Sequence, residues 1–362
     1  MKFERFLLLS LAVLLAAPIA IVAQDEIPRR ADGKPDLTGA YDVATLTPLT
    51  RPREFGDRLT LTDEEAEAIA RRKAEIYEAD FKPSDPNREA PPVGGAPIFD
   101  PGLEVASGGS GGYNAFYMDP GDNVVRIDGK WRTSIMTDPP NGQYPEMTPA
   151  GMARAAAQFA AFGHKNTGTA WWLEESDDGS GPYDNMEQRP LPERCLMGFS
   201  STGGPPMLPA LYNNHKRIVQ TGNHVMILIE MVHDARVVRI GGEHAPASER
   251  RWMGDSIGWW EGDTLVVDTT NFGEEPGLGS ATKDLHVVER FQRLPDGNLL
   301  YGFTVEDSNV WETPWSGEYT WRSTPNKVFE YACHEGNYAL GNVMRGARLL
   351  EADAMAGSTG GE

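Results

Sequence analysis

The sequence predicts a mainly β protein with a few helices, built on an antiparallel up-and-down, lipocalin-like β-barrel with an N-terminal extension. Three observations predict it. Between residues 215 and 333, short runs of alternating apolar and polar residues follow one another. Gly, Asn, Asp or Pro sits at almost every junction, and no helical periodicity intervenes. A meander of about nine strands leaves two unpaired edges unless the sheet closes on itself. Closure makes a barrel the first choice, with a two-sheet β-sandwich as the alternative.

The elements follow in chain order. Residues 1–23 carry Lys2 and Arg5, an apolar run over 6–22 and the small Ala23, the pattern of a leader cleaved on export. The mature protein is therefore expected in the periplasm or outside the cell. No later run is long enough to cross a bilayer, so stable membrane insertion is not expected. Residues 24–81 hold a strand over 38–46 and a helix capped by Thr62, with Glu65 completing a capping box. Residues 82–122 are rich in Gly and Pro and read as a long loop, most flexible at 107–112.

Residues 123–214 open with a hairpin around Asp128-Gly129. A helix over 149–162 follows, with Thr148 as cap, Pro149 first and Gly163 at its end. In the barrel region, 215–338, strands pair across Thr221-Gly222-Asn223, Glu261-Gly262-Asp263 and Pro295-Asp296-Gly297. A last pair, 319–322 and 327–333, is expected across Pro325-Asn326. Residues 339–362, ending in Gly, Ser and Thr, read as a flexible tail.

Composition excludes several classes. Lys plus Arg number 33 against 53 Asp plus Glu, for a formal charge of −20, which excludes a nucleic-acid partner. Two cysteines cannot build a cysteine-rich scaffold, an iron–sulfur cluster or a four-thiolate zinc site. In an oxidising compartment Cys195 and Cys333 are expected to form one disulfide, with two separately buried thiols as the alternative. No glycine-rich nucleotide motif and no HExxH or clustered Cys/His spacing is present, so no cofactor and no metal are expected.

Strand alternation sorts side chains by face. Over 285–293 it groups Leu285, Val287, Glu289 and Phe291, which puts a carboxylate on the more apolar face. Such a group must pair, bind a cation or stay protonated, so Glu289 is a candidate acid or base, or else half of a salt bridge with a neighbouring arginine or exposed on the outside of the barrel. Tyr301 lies on an apolar, aromatic face with Leu299, Phe303 and Val305. Trp260 belongs to a set of six tryptophans suited to lining an apolar cavity or filling a core. His233-Asp234 and His334-Glu335 fall at strand ends, where side chains can converge at a barrel mouth. Gly254-Asp255-Ser256-Ile257-Gly258 fits GxSxG, but strands rather than a helix follow it, so a nucleophile elbow is not read there.

The run WMGDSIGWWEGDTLVVDTTNF at 252–272 resembles the signature of an uncharacterised family of exported Gram-negative bacterial proteins. Other segments are similar to the same family, including Asp138-Pro139-Pro140-Asn141-Gly142, residues 231–236, residues 286–291 and residues 331–337. The resemblance spans nearly all of the mature chain. It implies export and singles out His233, Arg236, Asp255, Glu261, Asn271, Glu289, Arg290, His334 and Glu335 as matching polar positions.

Together these readings predict a barrel that binds a small apolar or aromatic molecule. Arg236, Asp255, Trp260, Asn271, Arg290 and Tyr301 are its candidate contacts. The alternatives are a cofactor-independent lyase, isomerase or hydrolase and a purely structural envelope protein. The enzyme would use His233, Glu289, His334 and Glu335 as acid–base groups, and it requires them to converge in one pocket.

Overall fold

The computed structural model describes residues 27–80, 87, 119–163, 168–175, 181–198 and 201–359. The expected leader and nearly all of the Gly/Pro-rich loop lie outside these residues. The described chain forms thirteen strands and four α-helices. The strands are β1 (Gly39–Asp42), β2 (Thr60–Leu61), β3 (Arg126–Ile127), β4 (Lys130–Arg132), β5 (Met136–Asp138), β6 (His215–Gln220) and β7 (His224–Ile229). They continue with β8 (Ala235–Ile240), β9 (Asp255–Glu261), β10 (Thr264–Thr270), β11 (His286–Arg293), β12 (Leu299–Glu306) and β13 (Trp315–Ser323). The helices are α1 (Asp63–Asp80), α2 (Pro149–Gly163), α3 (Trp172–Glu175) and α4 (Ala339–Thr359).

Nine strands close a barrel in the order β1-β6-β7-β8-β9-β10-β11-β12-β13, and β13 returns to β1. The closing ladder pairs Tyr41 with Ser323 and Asp42 with Arg322. Closure sets the sandwich alternative aside. It also corrects the expected last strand: 327–333 is irregular, and Phe329 stands 72% exposed. β1, expected in the N-terminal extension, takes its place. The reason is what β1 buries. Tyr41 is fully sealed, packs 6.4 Å from the Trp321 ring and donates its hydroxyl to Leu37 O at 2.9 Å.

Turn chemistry set the hairpins as expected. Asp128 and Gly129 both have positive φ, the requirement of a two-residue I′ turn between β3 and β4. Thr62 and Glu65 exchange their capping bonds at 3.2 and 2.8 Å, and Thr148 Oγ1 accepts from Gly151 N at 2.9 Å to start α2. The C-terminal tail is a correction. Residues 339–359 are helical and rest Ala347 against Ala170 and Trp172, while Trp172 Nε1 donates to Glu351 at 2.9 Å. The Ala, Leu, Met and Arg content of α4 favours helix and outweighs its glycines.

One register departs from the up-and-down pattern: β8 and β9 run parallel, Val238 beside Ser256. A parallel pair cannot be joined by a tight turn and needs a crossover of roughly a dozen residues. Residues 241–254 are that crossover. Gly254 takes positive φ where a Cβ would stand 2.7 Å from both Thr269 and Thr270.

The Cys195–Cys333 disulfide is formed, with a sequence separation of 138, and ties the segment before β6 to the segment after β13. Chain-entropy reasoning limits its contribution to at most about 5 kcal/mol. Reductant should lower the melting temperature of the native protein. A melt unchanged by full reduction would show that the bridge constrains nothing in the unfolded chain.

Candidate functional site

The barrel interior is aromatic and filled. Tyr41, Phe291, Tyr301, Phe303, Trp315, Tyr319 and Trp321 all project inward and are buried. Their rings meet edge-on or tilted, with Tyr301 4.8 Å from Trp321 and Phe303 5.7 Å from Trp315. Glu289 points into this interior as alternation predicts, and it is 0% exposed.

Its partner comes from β8. Arg236, 3% exposed, donates Nη1 to Glu289 Oε1 at 2.9 Å, Nη2 to Oε2, Nη2 to Thr269 Oγ1 at 2.9 Å and Nε to Ser256 Oγ at 3.1 Å. Tyr301 Oη donates to Glu289 Oε1 at 2.8 Å. Burial first, then the Glu289 charge, raises the Tyr301 pKa well above its ordinary value, so the hydroxyl stays a donor. Of the three readings of Glu289, the salt bridge to a neighbouring arginine is the observed one, and the carboxylate is not on the outside of the barrel. A carboxylate engaged by a guanidinium and a phenol is a cross-brace between β8 and β11.

Removing one partner strands the other charge in an apolar interior, at about 3–5 kcal/mol. Urea denaturation of Glu289→Ala should therefore show a loss of that order. A loss under about 1 kcal/mol would mean that the pair is not sealed from water.

The remaining predicted residues fall in different places. His334 and Glu335 are exposed, beyond Cys333 in the segment after β13. Glu289 is sealed, so these three groups do not meet in one pocket. The backbone of His233 ends a short 3₁₀ turn after β7, next to the buried Val232 with φ of 63°; the His233 side chain lies outside the described part of the structure. Arg290 pairs with Glu261 at 2.5 Å on the exposed outer wall. Trp260 is half-buried, with Lys34 Nζ 5.9 Å from its ring. Asn271 has φ of 57° and donates Nδ2 to Ala245 O at 2.8 Å, holding the crossover. Arg236 and Tyr301 belong to the interior network.

Asp255 leads to a second cluster, on the outer wall. Arg239 forks onto it at 2.7 and 2.9 Å, Ala245 N donates to it at 3.0 Å, and His244 Nδ1 sits 3.0 Å away. The opposite nitrogen of His244 lies 2.8 Å from Asp268, whose other oxygen is 2.8 Å from His286 Nε2. His286 Nδ1 is in turn 3.0 Å from Glu306. Carboxylates and basic side chains thus alternate across β8 to β12, and the crossover contributes His244. The Arg239 fork holds Asp255 well below the usual carboxylate range. Burial would raise Asp268, but hydrogen bonds from His286 and His244 outweigh it and hold it low.

The Asp268 hydrogen bond, against partial burial and with Glu306 on the other nitrogen, pushes His286 up to about 9. A raised histidine contributes stability that is complete below its ordinary value of 6.5 and fades as pH rises through about 9. The stability advantage of the native protein over His286→Gln should follow that course in denaturation at pH 6, 7.5 and 9.5. An advantage that grew with pH would contradict the charged-imidazole assignment.

The third cluster packs against the aromatic interior. Residues 201–208 are all buried and fold back on themselves, with Leu208 N donating to Ser201 O at 3.0 Å and Ser201 Oγ to Pro206 O at 2.6 Å. Met207 reaches the aromatic interior. Its N–H donates to Tyr301 Oη at 2.9 Å, and its carbonyl accepts from Tyr319 Oη at 2.6 Å. Lys216, 1% exposed, donates Nζ to Thr202 O at 2.7 Å. Burial pushes its amine down to about 7, with the Glu230 charge pulling the other way. Glu230 accepts from Phe329 N at 3.2 Å and lies 3.4 Å from His215 Nδ1.

Sequence reasoning missed Lys216, although the alternation that turns Ile218 inward turns Lys216 inward too. It also missed this plug, because 201–208 has no period to read. With this geometry in place, comparison with known proteins adds no assignment: no family model matches the chain, and no curated protein matches it.

Proposed function

We propose that this is an exported small-molecule-binding barrel whose apolar hollow is held closed by its own plug. The observation that carries the reading is the seating of Met207. A side chain from outside the wall lies among aromatic rings, and the two ends of its peptide are taken by two wall hydroxyls. That is how a barrel grips a small apolar guest bearing one donor and one acceptor. A ligand of that chemistry competes with Met207 for Tyr301 and Tyr319.

Binding rather than catalysis is favoured because the interior acid is consumed by Arg236 and Tyr301. Export agrees with the leader-like N-terminus and with a disulfide, which persists in oxidising compartments. Among the described residues no helix is long and apolar enough to cross a membrane.

Titration of the native protein with the neutral probe N-phenyl-1-naphthylamine tests the reading, followed by hydrogen exchange at 201–208. Binding should speed exchange of the Met207 and Leu208 amides. Tyr319→Phe loosens the plug by about 1 kcal/mol and removes a hydroxyl that this probe, lacking a carbonyl acceptor, does not use, so it should tighten the probe about fivefold. Probe binding that leaves those amides protected, or no binding by either protein, would overturn the proposal.

A further inference from the structure

Among the described residues, three hydrogen bonds join the 201–208 plug to the barrel wall. Two link the Met207 peptide to Tyr301 and Tyr319, and the third runs from Lys216 Nζ to Thr202 O at 2.7 Å. Burial holds both phenols above their ordinary range, so neither changes charge near neutral pH. The lysine is the one link of the three that can.

Alternation along β6 turns Lys216 inward with Ile218 and Gln220. Its neighbours in register, Tyr41 on β1 and Ile229 on β7, are sealed, and Lys216 itself is 1% exposed. An ammonium has three N–H bonds to place. Thr202 O takes one, and it is the amine's only hydrogen-bond partner among the described residues.

The charges around the amine leave it without an ion pair. Glu230, just past β7, acts on it through its field alone. The Glu230 oxygens face His215 N and Nδ1, both at 3.4 Å, and Phe329 N at 3.2 Å. His215 is the next residue along β6 and alternates to the other face, where Asp42 and Asp119 also act on it. Asp234, beyond the short turn after β7, looks onto the plug: its Oδ2 is 3.9 Å from where a Cβ on Gly203 would stand.

A buried charge with one bond is costly, and discharging the amine removes that cost while keeping the bond to Thr202. Burial accordingly pushes the amine down to about 7 from an ordinary 10.5, with Glu230 opposing. When the plug leaves, the amine meets water and regains its ordinary proton affinity. Between about 7 and 10.5 the open form therefore holds one proton more than the seated form. Seating strengthens as pH rises through that window and levels off below it.

We infer that Lys216 is a proton-operated latch on the plug: 201–208 stays seated while the amine is neutral and is released more readily once the amine takes up a proton. This regulation rests on the reading of 201–208 as a plug that can leave, and it supplies the condition under which it leaves.

Hydrogen exchange of the probe-free native protein from pH 6 to pH 9.5 tests it, read as protection factors at the Met207 and Leu208 amides. The β12 amides report global unfolding in the same samples. Protection at Met207 and Leu208 should stay below that of β12 and rise about tenfold or more between pH 7 and pH 9. Lys216→Met has no proton to take up and should be flat over that range. Lys216→Arg cannot discharge and should leave both amides poorly protected at every pH. If neither variant folds, the native profile decides. A flat native profile would overturn the latch, as would a slope shared by Lys216→Met or exchange at Met207 and Leu208 no faster than in β12. The binding proposal fails separately. A rising native profile with amides that N-phenyl-1-naphthylamine leaves protected would support the latch and remove the binder, and a flat profile with amides the probe exposes would do the reverse.

Discussion

Burying a guanidinium and a carboxylate among aromatic rings is tolerable only if each is bonded on every side that matters. Arg236 and Glu289 meet that condition by recruiting Ser256 and Thr269 from β9 and β10 and Tyr301 from β12. Satisfying one charge therefore fixes the relative position of five consecutive strands. The same constraint reaches the plug. The Tyr301 hydroxyl donates to Glu289 and accepts from Met207 N–H, so the chain that fills the hollow is bonded in series with the ion pair. Packing and polar satisfaction are here one problem with one solution.

The outer wall answers a different demand, set by the parallel register of β8 and β9. The crossover that this register requires lies over the outer wall, largely exposed, and is held there by side chains. Asp255 supplies the attachment, accepting from Arg239 and from Ala245 N and facing His244. Asn271 and the backbone of Arg251 complete it. The distinctive 252–272 run is accounted for by these tasks: the end of the crossover, the β9–β10 hairpin and the residues that hold the crossover down. Its conspicuous polar residues are therefore placed by folding requirements before any chemistry is asked of them.

What was legible in the chain was local. Alternation turned Glu289, Tyr301 and Phe303 inward, turn residues located the hairpins, and Thr62, Glu65 and Thr148 capped their helices, because each depends on neighbours a few residues away. Two cysteines in a chain read as exported were enough to expect the bridge between them. Illegible were contacts between segments that lie beyond any local window of sequence. These are Tyr41 completing the barrel beside β13, Met207 entering the hollow and His244 reaching Asp268.

The amino-acid order by itself determined that the protein is mainly β, how its strands face and that a carboxylate shares a strand face with apolar residues, since strand geometry converts order into sidedness directly. Tertiary structure alone decided which arginine meets that carboxylate, which strand closes the barrel and what occupies its interior. Those outcomes depend on shape and on the cost of unbonded polar groups in three dimensions, quantities that no short window of sequence contains.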